Sequence, residues 1–178
     1  MDSVTSFIYG MSMMFFSMMA FLFWRKGKEM LFRMIMWLMI VVDLQLVKDL
    51  VFFLIYGFDN EHAWYLTSSL DMMIIPFYSF VLMELVKPGW FRWVKALMLE
   101  LPFLLLPVFY IFTHNVIWFY VLSAWGAIYG FSTFILLFFM IRRYHRQLKE
   151  RFSYQENINL NWLLAILNTF FLILFLWT

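Results

Sequence analysis

The sequence predicts an all-α fold, a polytopic transmembrane helix bundle, and three observations carry that prediction. Of its 178 residues, 65% are hydrophobic, 24% are aromatic and only 13% are charged; a soluble domain of this length needs far more polar surface. The apolar residues gather into six runs, each long enough to cross about 30 Å of hydrocarbon at about 1.5 Å per residue. Lysine and arginine collect in alternate connections between those runs, as the positive-inside rule requires of a chain that weaves through a bilayer.

The expected helices are at about 4–24, 31–56, 65–86, 96–112, 116–141 and 158–177, all within one transmembrane domain covering 1–178. The first run is uncharged and starts almost at Met1, without a basic leader or a small-residue cleavage site, so it is expected to be retained. Its Ser6, Gly10 and Ser17 form a small-residue stripe suited to close helix approach. The second helix carries Asp43, Gln45, Lys48 and Asp49. At 100° per residue, Gln45, Lys48 and Asp49 share a face and Asp43 points almost oppositely. This helix is therefore expected to meet polar partners on two sides.

The third helix carries Asp71 toward one end and Glu84 toward the other, with Pro76 between them and Pro88-Gly89 closing the segment. The fourth contains Glu100, Pro102 and Pro107, so a kink is expected there, with carbonyls that need neighbours or water. The fifth has Ser123, Gly126, Ala127 and Gly130 on its small face, a weak GxxxG packing motif. The basic run Arg142 to Arg151 follows. Ser153 with Glu156 three residues later fits a capping box opening the sixth helix.

The basic turns one to two, three to four and five to six are expected to be cytoplasmic, with Met1 outside. Six crossings then put Thr178 outside, and a seventh helix beyond it would return the chain to the cytosol. On this reading the chain is six of seven helices.

Depth along the helices assigns partners. Lys48 and Asp71 each lie about 10 Å from the outer surface, counting about 1.5 Å per residue. Two readings are open for them. They form an ion pair shared with Asp49 as packing, or with Gln45 they line an outward-facing cavity that contacts a polar ligand or a proton. Asp43 matches Asn168 on the sixth helix in depth, and the two are expected to form a hydrogen-bonded pair that glues helices together. Glu84 and Glu100 are within snorkelling reach of Arg92 and Lys95, as structural staples.

Several functions are disfavoured. There is no cysteine, and His62, His114 and His145 lack metal-ligand spacing within a helix, so no metal is expected. No nucleophile elbow, HExxH, phosphate-binding loop or dinucleotide fingerprint is present, so neither an enzyme nor a cofactor is expected. A net charge of +2 gives no footprint for nucleic acid. The partner that the composition requires is the lipid bilayer.

Three strings, Asp71-Met72 with Pro76, Glu84-Leu85 with Pro88-Gly89, and Phe152-Ser153 with Glu156, Ile158, Leu160 and Trp162-Leu163, resemble a pattern in bacterial regulators. In that family a heptahelical membrane sensor precedes a cytoplasmic output, often an AraC-type DNA-binding domain and sometimes a histidine kinase. The resemblance implies a sensor of the bacterial inner membrane that detects an extracytoplasmic or membrane-derived small ligand. It also implies a homodimer in the full-length protein and an output domain that these 178 residues do not contain. The alternative from another class is a small-solute or ion transporter or channel.

Overall fold

The computed structural model describes residues 3–57, 60–151 and 165. Among the described residues every element is an α-helix and there is no strand. In chain order these are α1 (Ser3–Lys26), α2 (Met30–Tyr56), α3 (Glu61–Asp71), α4 (Ile74–Val86), α5 (Trp93–Thr113) and α6 (Ile117–Arg151). They represent five of the six expected runs, because the third is split in two. Apart from Ala165, the expected sixth helix lies outside the described residues, as do Asn168, Ser153 and Glu156.

Four stretches are long and apolar enough to cross a membrane: Val4–Lys26, Glu61–Val86 taken across its break, Trp93–Thr113 and Ile117–Tyr144. Three of them present large apolar side chains outward along their length, for example Phe7, Met11, Met14 and Phe15 on α1 and Leu97, Met98, Leu101 and Phe112 on α5, whereas Glu61–Val86 buries Phe80, Val81, Met83 and Val86. Exposed apolar surface on that scale marks a membrane-facing exterior. α2 is not one of the four. Its 27 residues are length enough, but they carry Arg33, Asp43, Lys48 and Asp49, so its fitness for hydrocarbon rests on how those charges are compensated.

Three boundaries differ from expectation. The third helix starts earlier, at Glu61, because Asn60 caps it by accepting a hydrogen bond from Ala63 N at 3.1 Å. It is then interrupted at Met72-Met73, ahead of Pro76. The expected basic turn after residue 141 is instead a continuation of α6 to Arg151. Arg, Lys, Gln and Leu are good helix formers, and neither Gly nor Pro occurs between Phe131 and Arg151 to stop the helix. Within α5, Pro102 and Pro107 sit inside one uninterrupted helix.

The chain divides into two compact units, Met1–Gly126 and Ala127–Thr178. In the first, α1 packs along α2, α2 meets α3 and α4, and both of these pack on α5. Its core at one end comprises Met34 and Leu38 of α2, Phe80 and Val81 of α4, and Ala96 of α5, with Trp90 and Phe91 packed against them. At the other end Tyr65 and Phe119 meet with ring centroids 5.0 Å apart. Gly126 lies against side chains: a Cβ at this position would stand 3.5 Å from Ile75 Cδ1 and 3.8 Å from Phe103 Cε1. In the second unit Arg142 sits over the Phe138 ring at 4.3 Å.

Candidate functional site: a polar seam at a broken helix

Pro76 has no N–H, so the Met72 carbonyl loses the donor that a continuous helix would supply four residues on, and the proline ring crowds that carbonyl. The backbone answers by tightening. Met73 N donates to Leu70 O at 3.2 Å and Ile75 N to Met72 O at 3.1 Å, each three residues back rather than four. Ile75 thereby abandons the Asp71 carbonyl. In a bilayer such acceptors must find donors within the protein.

The donors come from α2. Gln45 Nε2 donates to Leu70 O at 3.2 Å and approaches Asp71 O at 3.4 Å. About one turn further along, Lys48 Nζ donates to Asp71 Oδ1 at 2.7 Å and to Thr67 O at 3.0 Å. The same ammonium lies 2.8 Å from Asp49 Oδ1, an ion pair outside hydrogen-bonding alignment that leaves this oxygen without a hydrogen bond. Two carboxylates thus share one cation. Lys48 keeps 16% of its side chain exposed and Asp71 42%, so the seam is half-open rather than sealed. Tyr9 of α1 lies within electrostatic reach of both Asp49 and Asp71.

Asp43 is on the opposite side of α2, against α1. Ser17 donates its hydroxyl to Asp43 Oδ2, while Asp43 Oδ1 is buried without a hydrogen bond among the described residues. Both side chains line a shallow groove of about 270 Å³ completed by Ala20, Ile40, Leu44 and Val47. The expected contact of Asp43 with Asn168 falls outside the described residues. α2 is therefore polar on two flanks, each facing a different helix.

Glu84 departs from expectation. It is 4% exposed, and its partners are backbone amides rather than Arg92 or Lys95: Gly89 N donates to Oε1 at 2.6 Å and Phe91 N to Oε2 at 2.9 Å. The reason is local. Lys87-Pro88-Gly89-Trp90 closes as a tight turn, with Trp90 N donating to Lys87 O at 3.1 Å and Gly89 at φ 80°, the pattern of a type II turn. Folding back this way aims its N–H groups at the carboxylate. Glu100 is also not ion-paired among the described residues, and its Oε2 is buried without a hydrogen bond.

One association had no sequence signal. His62 and His114, far apart in the chain, bring their rings to 6.3 Å. The Tyr110 hydroxyl donates to His62 O at 3.3 Å and lies 3.4 Å from His62 Nδ1. Among the described residues no group of three or more histidine, cysteine, aspartate or glutamate side chains is placed to hold a metal. Comparison with protein-family models, with curated proteins and with solved structures finds no match, so the role of the seam rests on the chemistry of its own residues.

Proposed function

We propose that this chain is a membrane-embedded sensor domain whose ligand site is the seam around Lys48, Asp49 and Asp71. On this reading Met1 faces outward, the basic turns face the cytosol and α2 crosses the membrane with its charges compensated. The observation that supports the reading is the pairing of a helix break with a shared cation: Lys48 reaches a carboxylate and a backbone carbonyl across the interface. A polar small ligand that competes for the Asp71 carboxylate would draw Lys48 away from it and loosen α2 from α3, leaving Gln45 on the backbone carbonyls. Such a shift is a differential interaction between two states, which any ligand-driven change requires. The signal would pass to a cytoplasmic DNA-binding or kinase output in a bacterial inner-membrane protein, and the site calls for no enzymatic chemistry.

A transporter is the second reading, favoured by the interrupted helix beside intramembrane charges, an arrangement that solute carriers use at their binding sites. Proton and sodium flux into vesicles reconstituted with the chain separates the two. The sensor reading expects flux equal to empty vesicles, with hydrogen exchange over 61–73 rising in Asp71→Asn. Flux above background that Asp71→Asn abolishes would overturn it.

A further inference from the structure

The two basic turns of the first unit meet at one end of the bundle. Met30 and Leu31, just after the α1–α2 turn, pack on the same buried cluster as Trp90 and Phe91 of the α4–α5 turn. The first turn and the helix ends beside it contribute Arg25, Lys26, Lys28 and Arg33, all exposed, and the second turn with the start of α5 contributes Lys87, Arg92 and Lys95, also exposed. Against them stand two carboxylates. Glu84 is buried and committed to Gly89 and Phe91 N, and Glu29 is exposed without an ion pair among the described residues. The other polar contacts of these cations are weak: Arg33 approaches Met30 Sδ at 3.9 Å and Lys95 lies 5.9 Å from the Trp90 ring centroid.

A surface with this much uncompensated positive charge, flanked by tryptophan and held at a bundle end, is complementary to phosphate at a membrane surface. The second turn is also fixed. Glu84 holds it by two backbone hydrogen bonds, and Trp90 and Phe91 pack against the core, so its cations are presented on a rigid frame.

We propose that the α1–α2 and α4–α5 turns together form a binding site for an anionic phospholipid, with one headgroup of two phosphates bridging them. The site is independent of the polar seam. The first turn supplies Lys28, with Arg33 from the first turn of α2 beside it, and the second supplies Lys87 and Arg92.

Native mass spectrometry of the detergent-solubilised chain, offered diphosphatidylglycerol, phosphatidylglycerol and phosphatidylcholine in equal amounts, tests this. The expected result is preferential retention of the two-phosphate lipid. Lys28→Gln/Arg33→Gln and Lys87→Gln/Arg92→Gln each lower that retention about tenfold, and combining them adds little, since one headgroup needs both turns. Arg142→Gln/Arg143→Gln leaves it unchanged, and circular dichroism checks that each variant keeps its helicity. Equal retention of phosphatidylcholine, an equal loss in the Arg142/Arg143 variant, additive losses from the two turns, or displacement of the lipid by millimolar inorganic phosphate would each overturn the proposal.

Discussion

Asp71 and Glu84 sit on the same apolar stretch, one toward each end, and the protein treats them in opposite ways. Glu84 is buried and satisfied by two N–H groups of its own following turn, a short-range arrangement in which the partners are backbone. Asp71 is partly exposed and held by Lys48, which comes from another helix and is shared with Asp49 and Thr67 O. A carboxylate bonded to neighbouring backbone is fixed once the turn is made. One bonded to a long side chain from another helix can exchange its partner. The first arrangement suits a staple and the second suits a switch.

Removing the staple should have the largest effect. Glu84→Ala leaves the Gly89 and Phe91 N–H groups without their acceptor and should lower unfolding stability by about 3 kcal/mol, from two charge-assisted hydrogen bonds. Titration into sodium dodecyl sulfate micelles, followed by helicity, measures it. Lys48→Met should cost about 2 kcal/mol, less than the roughly 3–5 kcal/mol of a fully buried pair, because the pair is only partly buried. The double variant Lys48→Met/Asp71→Leu should recover about half of that loss, since it removes an uncompensated carboxylate as well. A larger loss for Lys48→Met than for Glu84→Ala would reverse the assignment of staple and switch.

Gly89→Ala probes the same contrast from the backbone side. The residue has φ 80°, so a methyl group there should cost about 1 kcal/mol by strain and loosen the turn that feeds Glu84. Thermal unfolding in detergent is sensitive enough to see it. Asp43→Asn should have the smallest effect, about 0.5 kcal/mol, because the amide oxygen still accepts from Ser17 and single polar contacts between membrane helices are worth about that much. The same unfolding assay would detect a loss several times larger, which would place the weight of α2 on its α1 flank instead of the seam.

Some of the seam is legible in the sequence. The angular separation of Asp43 from Gln45 and Lys48 on α2 follows from helical geometry, and matched depth pairs Lys48 with Asp71. The break at Met72-Met73 is also written in the chain, as Pro76, yet the two prolines of α5 point to a kink in a different helix. A proline shows which N–H is missing but not whether neighbours will support a continuous helix around it. α5 tolerates two and the Glu61–Val86 stretch does not tolerate one. For Glu84, charge complementarity points to Arg92 and Lys95, whereas the tight turn brings two amides closer than either. The meeting of His62 with His114 has no periodic or spacing signal at all.

Composition and the lengths of the apolar runs were enough to anticipate the all-helical architecture of the described residues, with helices long and apolar enough to cross a membrane, because in hydrocarbon the backbone must satisfy its own hydrogen bonds. Which polar group answers which was decided only by packing. A carboxylate's partner depends on distances of a few ångströms between segments remote in sequence, and those distances exist only once α2 lies against α3 and the turn after α4 has closed.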